Sequence, residues 1–361
     1  MRGGLIAGLM LLVAGAAQPG RADPVEDFYK GREVTVIVTG SPGSNYEIYA
    51  RIVTHGMSKF IPGHPTMVVR NMNGGGHVVG TNYLYNVAPK DGSVIGLIGE
   101  TMALTQILQP ELVKFDASRF NWIGNPNVGN LTLVAWYTSG ISSIQEVTKR
   151  ELIVGASGPT SPSGQIPRAL NNILGTKFKI IIGFPGASID VAMERGEVEA
   201  RGSAQIEWWR TAHPDWLAEK KIRVLLQVGL RRDPGLADVP LLTELARNDA
   251  ERQIFKLLSS TVVIGRPLVA PPDVPAERVT ALRTAFAQAM KDPDFLAEAK
   301  KVKLDINPVY SEELQTIVED LVHTPPEVVT LAKAALAKGQ TFKCTELVRD
   351  PKLCQADGKS E

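Results

Sequence analysis

Residues 33–51 read EVTVIVTGSPGSNYEIYAR, and the fold turns on this stretch. Residues 33–39 form a run rich in β-branched side chains, cut off by Gly40-Ser41-Pro42-Gly43-Ser44. From Asn45 the period changes: Tyr49, Ile52, Val53, Gly56 and Phe60 fall on one face of a helix. Ser44 or Asn45 suits its N-cap, and Glu47 sits in the first turn, where a negative charge favours the helix dipole. Strand, glycine loop, helix is one unit of an α/β sheet.

The unit recurs along the chain. Residues 67–70 lead through Asn71-Met72-Asn73-Gly74-Gly75-Gly76 into a helix-like stretch over residues 78–87, and residues 93–99 read as another buried strand. Residues 131–137 and 152–156 read as strands, the second entering a Gly/Pro/Ser loop at 157–164 and a helix at 166–174. Residues 179–183 form a strand entering the loop 184–188, and 198–204 and 223–228 are strand-like. Pro271, Pro272 and Pro275 precede an amphipathic helix in which Val279, Leu282, Phe286 and Met290 share a face. Two half-chains of similar build predict an α/β fold of two lobes with the loops gathered at one edge. The chain is expected to cross between lobes near residues 125–130 and 259–265. That places residues 23–127 plus 262–340 in one lobe, 128–261 in the other, and 341–361 in a tail.

Composition limits the function. The chain has 361 residues, 44% of them hydrophobic, with 39 Lys plus Arg against 38 Asp plus Glu. No basic surplus exists to neutralise a phosphate backbone, so a nucleic-acid partner is not expected. Arg2, the short apolar run over residues 5–17 and the small residues Gly20 and Ala22 read as a secretory signal peptide over 1–22, with a retained anchor as the competing reading. An exported mature chain follows. Cys344 and Cys354 bracket a short polar loop, which in an exported chain reads as a disulfide. The five histidines are scattered, no nucleophile elbow or Walker loop is present, and Gly74 to Gly80 misses the dinucleotide pattern by one position. Neither metal nor cofactor is expected.

What remains is a set of Gly/Ser/Thr/Asn loops, at residues 42–47, 73–77, 99–101, 157–163 and 185–188. Such loops expose N–H groups ahead of helix N-termini and can bind an anion without any arginine, although short βα turns need glycine in any case. Here the sequence resembles the extracytoplasmic solute receptors of tripartite tricarboxylate transporters, the Bug-type proteins, over roughly residues 23–337. The family's PGGxxDxxAR is similar to Pro42-Gly43-Ser44-Asn45-Tyr46-Glu47-Ile48-Tyr49-Ala50-Arg51. Its second pattern resembles the stretch from Gly63 to Asn71 and on to Gly80-Thr81, and its APDGYTLLLG looks like Ala88 to Leu97 with Lys90 inserted.

The resemblance implies a Venus-flytrap-like periplasmic binding protein of type II, each lobe a mixed sheet flanked by helices. It would capture a small di- or tricarboxylate or related organic acid as a monomer and meet membrane transporter subunits transiently. Carried over, the contacts are Gly43, Ser44 and Asn45; Gly74, Gly75 and Gly76; Gly158 and Ser161. Residues 186–190, with Gly186, Ala187 and Asp190, fall near a further family loop. Departures add candidates. Glu47 replaces Asp and could meet a ligand amino group or serve only the helix; His77 replaces a glycine and could donate to an anion or cap a turn. Thr160 also replaces a glycine, Tyr46 could wall the site or pack on its own lobe, and Glu100, Thr101 and Ser157 stand on the same loops. Trp208 and Trp209 are expected in interlobe packing rather than in ligand stacking. Competing readings are a sensor partner of a two-component system and an exported hydrolase using Ser157 or Ser161 with His77.

Overall fold

The computed structural model of the chain describes residues 23–339 and 342–356. The expected signal segment, 1–22, lies outside them. The strands are β1 (Glu33–Val38), β2 (Thr66–Asn71), β3 (Val94–Leu97), β4 (Asn121–Asn125), β5 (Leu131–Trp136), β6 (Leu152–Ala156), β7 (Phe178–Ile182), β8 (Ala200–Gln205), β9 (Ile222–Val228), β10 (Leu268–Ala270) and β11 (Val309–Tyr310). They form two mixed sheets, in the orders β11-β4-β10-β3-β1-β2 and β7-β6-β8-β5-β9. Helices flank both, giving an α/β fold of two lobes.

Register explains why the loops collect. Val38 at the end of β1 pairs with Asn71 at the end of β2 and with Leu97 at the end of β3, all parallel. Ala156 and Ile182 end β6 and β7 in the same way. Parallel strands that stop level must release their connections at one carboxyl edge, and in each lobe that edge faces the other lobe.

Period-2 alternation sorts the core. Val34, Val36 and Val38 face one apolar cluster with Tyr49, Leu282 and Phe286, whereas Ile37 faces another. In β5, Leu133 and Ala135 join that second cluster while Val134 and Trp136 pack with Trp209 and Trp216. The second cluster spans both lobes, through Ile254, Phe255 and Leu258 of helix Asp249–Ile264 and Leu331 and Ala335 of helix Pro326–Leu336. Helix Pro326–Leu336 is further tied to the second lobe by Asn172, whose Nδ2 donates to the carbonyls of Ala335 and Ala337 at 2.8 Å.

The chain passes between the sheets after β4 and again before β10. Asn125 fastens the two passages together: its Oδ1 accepts from the N–H of Arg266 (3.0 Å) and of Asn127 (3.2 Å), and its Nδ2 donates to Val263 O (3.1 Å). Cys344 and Cys354 form a disulfide with Cα atoms 5.8 Å apart. Leu347, Val348 and Leu353 beside it lie on the shared core. No helix among the described residues is long and apolar enough to cross a membrane.

Candidate ligand-binding cleft

Between the two carboxyl edges lies a cavity of about 240 Å³. Ser44, Asn45, Tyr46, Gly74, Gly75, Gly76, His77 and Glu100 line it from the first lobe. Ser157, Ser161, Gly186 and Ala187 line it from the second.

The triple glycine has a backbone reason to exist. Gly74, Gly75, Gly76 and His77 take φ of 140°, 56°, 65° and 82° in succession. The glycines adopt this freely, whereas His77 is a non-glycine residue held in the left-handed region. Its ring anchors it: Nδ1 lies 2.8 Å from Thr39 Oγ1 and the ring centroid 4.7 Å from that of Tyr46. Burial pushes the His77 pKa down to about 4, so the imidazole is neutral at pH 7. Its ring-proton NMR shift is therefore expected to stay constant from pH 8 to pH 5; a midpoint near 6.5 would mean the ring is solvated. Behind this turn stands helix Val78–Asn86, whose N-terminus favours negative charge. Ser44 is the N-cap of helix Asn45–Ser58 but makes no capping bond, and its Oγ is buried without a partner.

The second wall is a hydroxyl cluster before helix Pro162–Leu174. Ser163 Oγ accepts from Ser157 N–H (3.1 Å) and lies 2.9 Å from Ser161 Oγ. Neither Ser157 nor Ser161 hydrogen-bonds a described histidine: their hydroxyls meet Ser163 Oγ and Gly158 O, and His77 Nδ1 meets Thr39. Six sequence candidates stand back from the cleft. Gly43 turns the loop at φ 72° and donates its N–H to Glu47 Oε2 at 2.6 Å. That bond, then the Arg51 side chain, holds the Glu47 carboxyl below its usual pKa, so Glu47 serves its own loop and helix. Thr101 is buried at the start of helix Met102–Leu108. Gly158 donates to Ser161 Oγ (3.2 Å), and Thr160 Oγ1 reaches across the lobes to Gly75 O (3.1 Å). Asp190 accepts from Arg201 Nη1 (2.6 Å) and Trp208 Nε1 (2.7 Å) and meets His213 Nε2 (3.3 Å). Its role is to hold Arg201 and Trp208, which themselves line the cavity. Trp208 and Trp209 thus belong to one lobe: Trp209 is buried with its Nε1 on Thr132 Oγ1 (2.8 Å), and neither packs between lobes.

Sequence reasoning missed the most consequential residue. Arg266 lies on the returning passage, lines the cavity, and is 4% exposed. Its guanidinium makes no hydrogen bond among the described residues; Nε and Nη1 are wholly buried. It rests instead on aromatic faces, 4.6 Å from the Tyr49 centroid and 5.8 Å from that of Tyr46. Burial lowers its pKa, opposed by Tyr49, Glu100 and Glu207. An arginine stays charged at neutral pH even so. A signal was available: in TVVIGRPLVA, residues 261–270, Arg266 is the single charge in an apolar run. Arg201 and Gln205 were also missed, and both lie on β8 at the opposite wall. No group of three His, Cys, Asp or Glu able to hold a metal occurs among the described residues.

Residues 49–330 match the family described as "Tripartite tricarboxylate transporter family receptor". A UPF0065 protein of Agrobacterium vitis is 24% identical over 288 residues, 74% of this chain and 74% of that protein. Among solved structures, the periplasmic binding protein BugD superposes with a TM-score of 0.66 at 22% identity, covering 85% of this chain and 98% of that one. The malate-bound MatC of Rhodopseudomonas palustris superposes with a TM-score of 0.64 at 20% identity, covering 83% and 99%.

Proposed function

This chain belongs to the receptors of the tripartite tricarboxylate transporter family, and from that premise we propose that it captures a small carboxylate in the periplasm and presents it to a membrane transporter. The observation that carries the reading is Arg266, a buried guanidinium without a hydrogen-bond acceptor, on the wall of an interlobe cavity. A buried cation unpaired in the protein is stabilised by an anionic ligand that can accept from its planar fork. The glycine turn at Gly74–Gly76, the free hydroxyl of Ser44 and Arg201 supply further donors around the same space. The malate seated in MatC supports a small organic acid as the ligand class. Capture is then binding followed by lobe contact, with no bond made or broken.

A thermal-shift screen of the purified protein against mono-, di- and tricarboxylates tests this. A true ligand at 100 times its Kd is expected to stabilise the fold by about 2.7 kcal/mol, a rise of several degrees. Mass spectrometry is expected to recover the acid unchanged. Absence of any shift across the panel would remove the carboxylate assignment, and conversion of a hit would make the protein an enzyme.

A further inference from the structure

Glu100 follows β3 on the same loop edge and lines the same cavity as Arg266. It is 8% exposed, its carboxylate hydrogen-bonds no other described residue, and its Oε2 is wholly buried. No ion pair joins Glu100 to Arg266, although the two are close enough to influence one another's ionisation. Buried opposite charges ordinarily pair directly. Here the Tyr46 and Tyr49 rings hold the guanidinium, and the carboxylate is left to the cavity wall.

We propose that the ligand is an acid bearing an ammonium group beside its carboxylate, an amino acid, with Arg266 receiving the carboxylate and Glu100 the ammonium. The inference rests on the carboxylate reading and narrows it. A plain acid satisfies Arg266 but brings a second negative charge toward Glu100, and two carboxylates in one desolvated space repel or take up a proton. A zwitterion instead alternates the charges and leaves neither buried group unpaired. Glu47, the other acid on the loops, is committed to Gly43 and Arg51. Gln205 on the opposite wall offers another acceptor, its Oε1 buried without a partner.

The test is calorimetric titration at pH 8 with matched pairs: aspartate and succinate, glutamate and glutarate, alanine and propionate. In at least one pair the amino member is expected to bind about tenfold to a hundredfold tighter, because a buried acceptor left unpaired discriminates strongly. In Glu100→Gln that ratio is expected to collapse toward unity. Equal binding of both members in every pair, or a ratio that survives Glu100→Gln, overturns the proposal while leaving a carboxylate receptor standing. Failure of all six compounds and of the wider acid panel overturns both readings.

A pH series on the unaltered protein gives a second readout should the variant fail to fold. Burial raises the Glu100 pKa to about 7, countered by its own backbone N–H and by Arg266. The other titratable groups nearby are His77, whose ring packs against Gly99 and is neutral above pH 5, and Glu207 beyond Arg266. Amino acid affinity is therefore expected to rise from pH 6 to pH 8 as Glu100 ionises, and plain-acid affinity to fall. The same slope for both classes counts against the proposal.

Discussion

Arg266→Met is expected to lower ligand affinity by about two to four orders of magnitude while raising the melting temperature of the ligand-free protein. The first effect follows from hydrogen bonds to a charged group, worth about 1.5–3 kcal/mol each, of which a bidentate carboxylate makes two. The second follows from desolvation. Arg266 is buried with no acceptor, so its charge destabilises the empty fold, and an apolar side chain of similar length removes that cost. Loss of the cation–π contacts with Tyr46 and Tyr49, and of the attraction to the buried Glu100 and Glu207, offsets part of the gain. A net stabilisation of about 1 kcal/mol remains, or ~1–2 °C for a chain of this length. Calorimetry with and without ligand measures both. Affinity within threefold of the original would mean the anion is held by the backbone loops alone, and a fall in the ligand-free melting temperature would mean the guanidinium is structural.

That opposition between binding and stability marks where local sequence rules stop. β1, β5, β6 and β9 are legible because they are runs of β-branched and aliphatic residues ended by turn residues. β4, β10 and β11 are not. β4 (NWIGN) starts and ends in Asn, β10 is three residues between prolines, and β11 is two. Their strand state comes from neighbours in the first sheet, which no local pattern records. The glycine loops at 74–76 and 157–163 are legible because turn chemistry is local. Glu47 admits two readings from sequence, and the choice is also local: Gly43 and Arg51, each four residues away, commit it to its own loop and helix. Arg51 could have been read as the i,i+4 partner of a helical glutamate. Arg266 depends on a contact across 141 residues, the Asn125 clasp that lays one interlobe passage on the other. Only its isolation in an apolar run hinted at it.

Gly76→Ala should produce the other large effect, through the contact that joins the lobes. Thr160 Oγ1 donates to Gly75 O at 3.1 Å, so the second lobe touches the first beside the cavity. A Cβ built on Gly76 would overlap Thr160 Oγ1, whereas Thr160 Cβ lies at an ordinary 3.5 Å. Gly76 also sits at φ 65°, where a side chain adds strain of about 1–2 kcal/mol. The variant is therefore expected to lose about that much stability. It is also expected to bind ligand roughly a hundredfold more weakly, because the walls can no longer approach to the distance that aligns both sets of donors. Adding Thr160→Ala separates the two causes: it removes the overlapping oxygen but leaves the backbone strain. Affinity should recover about tenfold in the double variant while the melting temperature stays low. Recovery of neither quantity would place the whole defect in the backbone of the turn. Unchanged affinity in Gly76→Ala itself would show that the contact between Thr160 and the glycine turn has no part in holding the ligand.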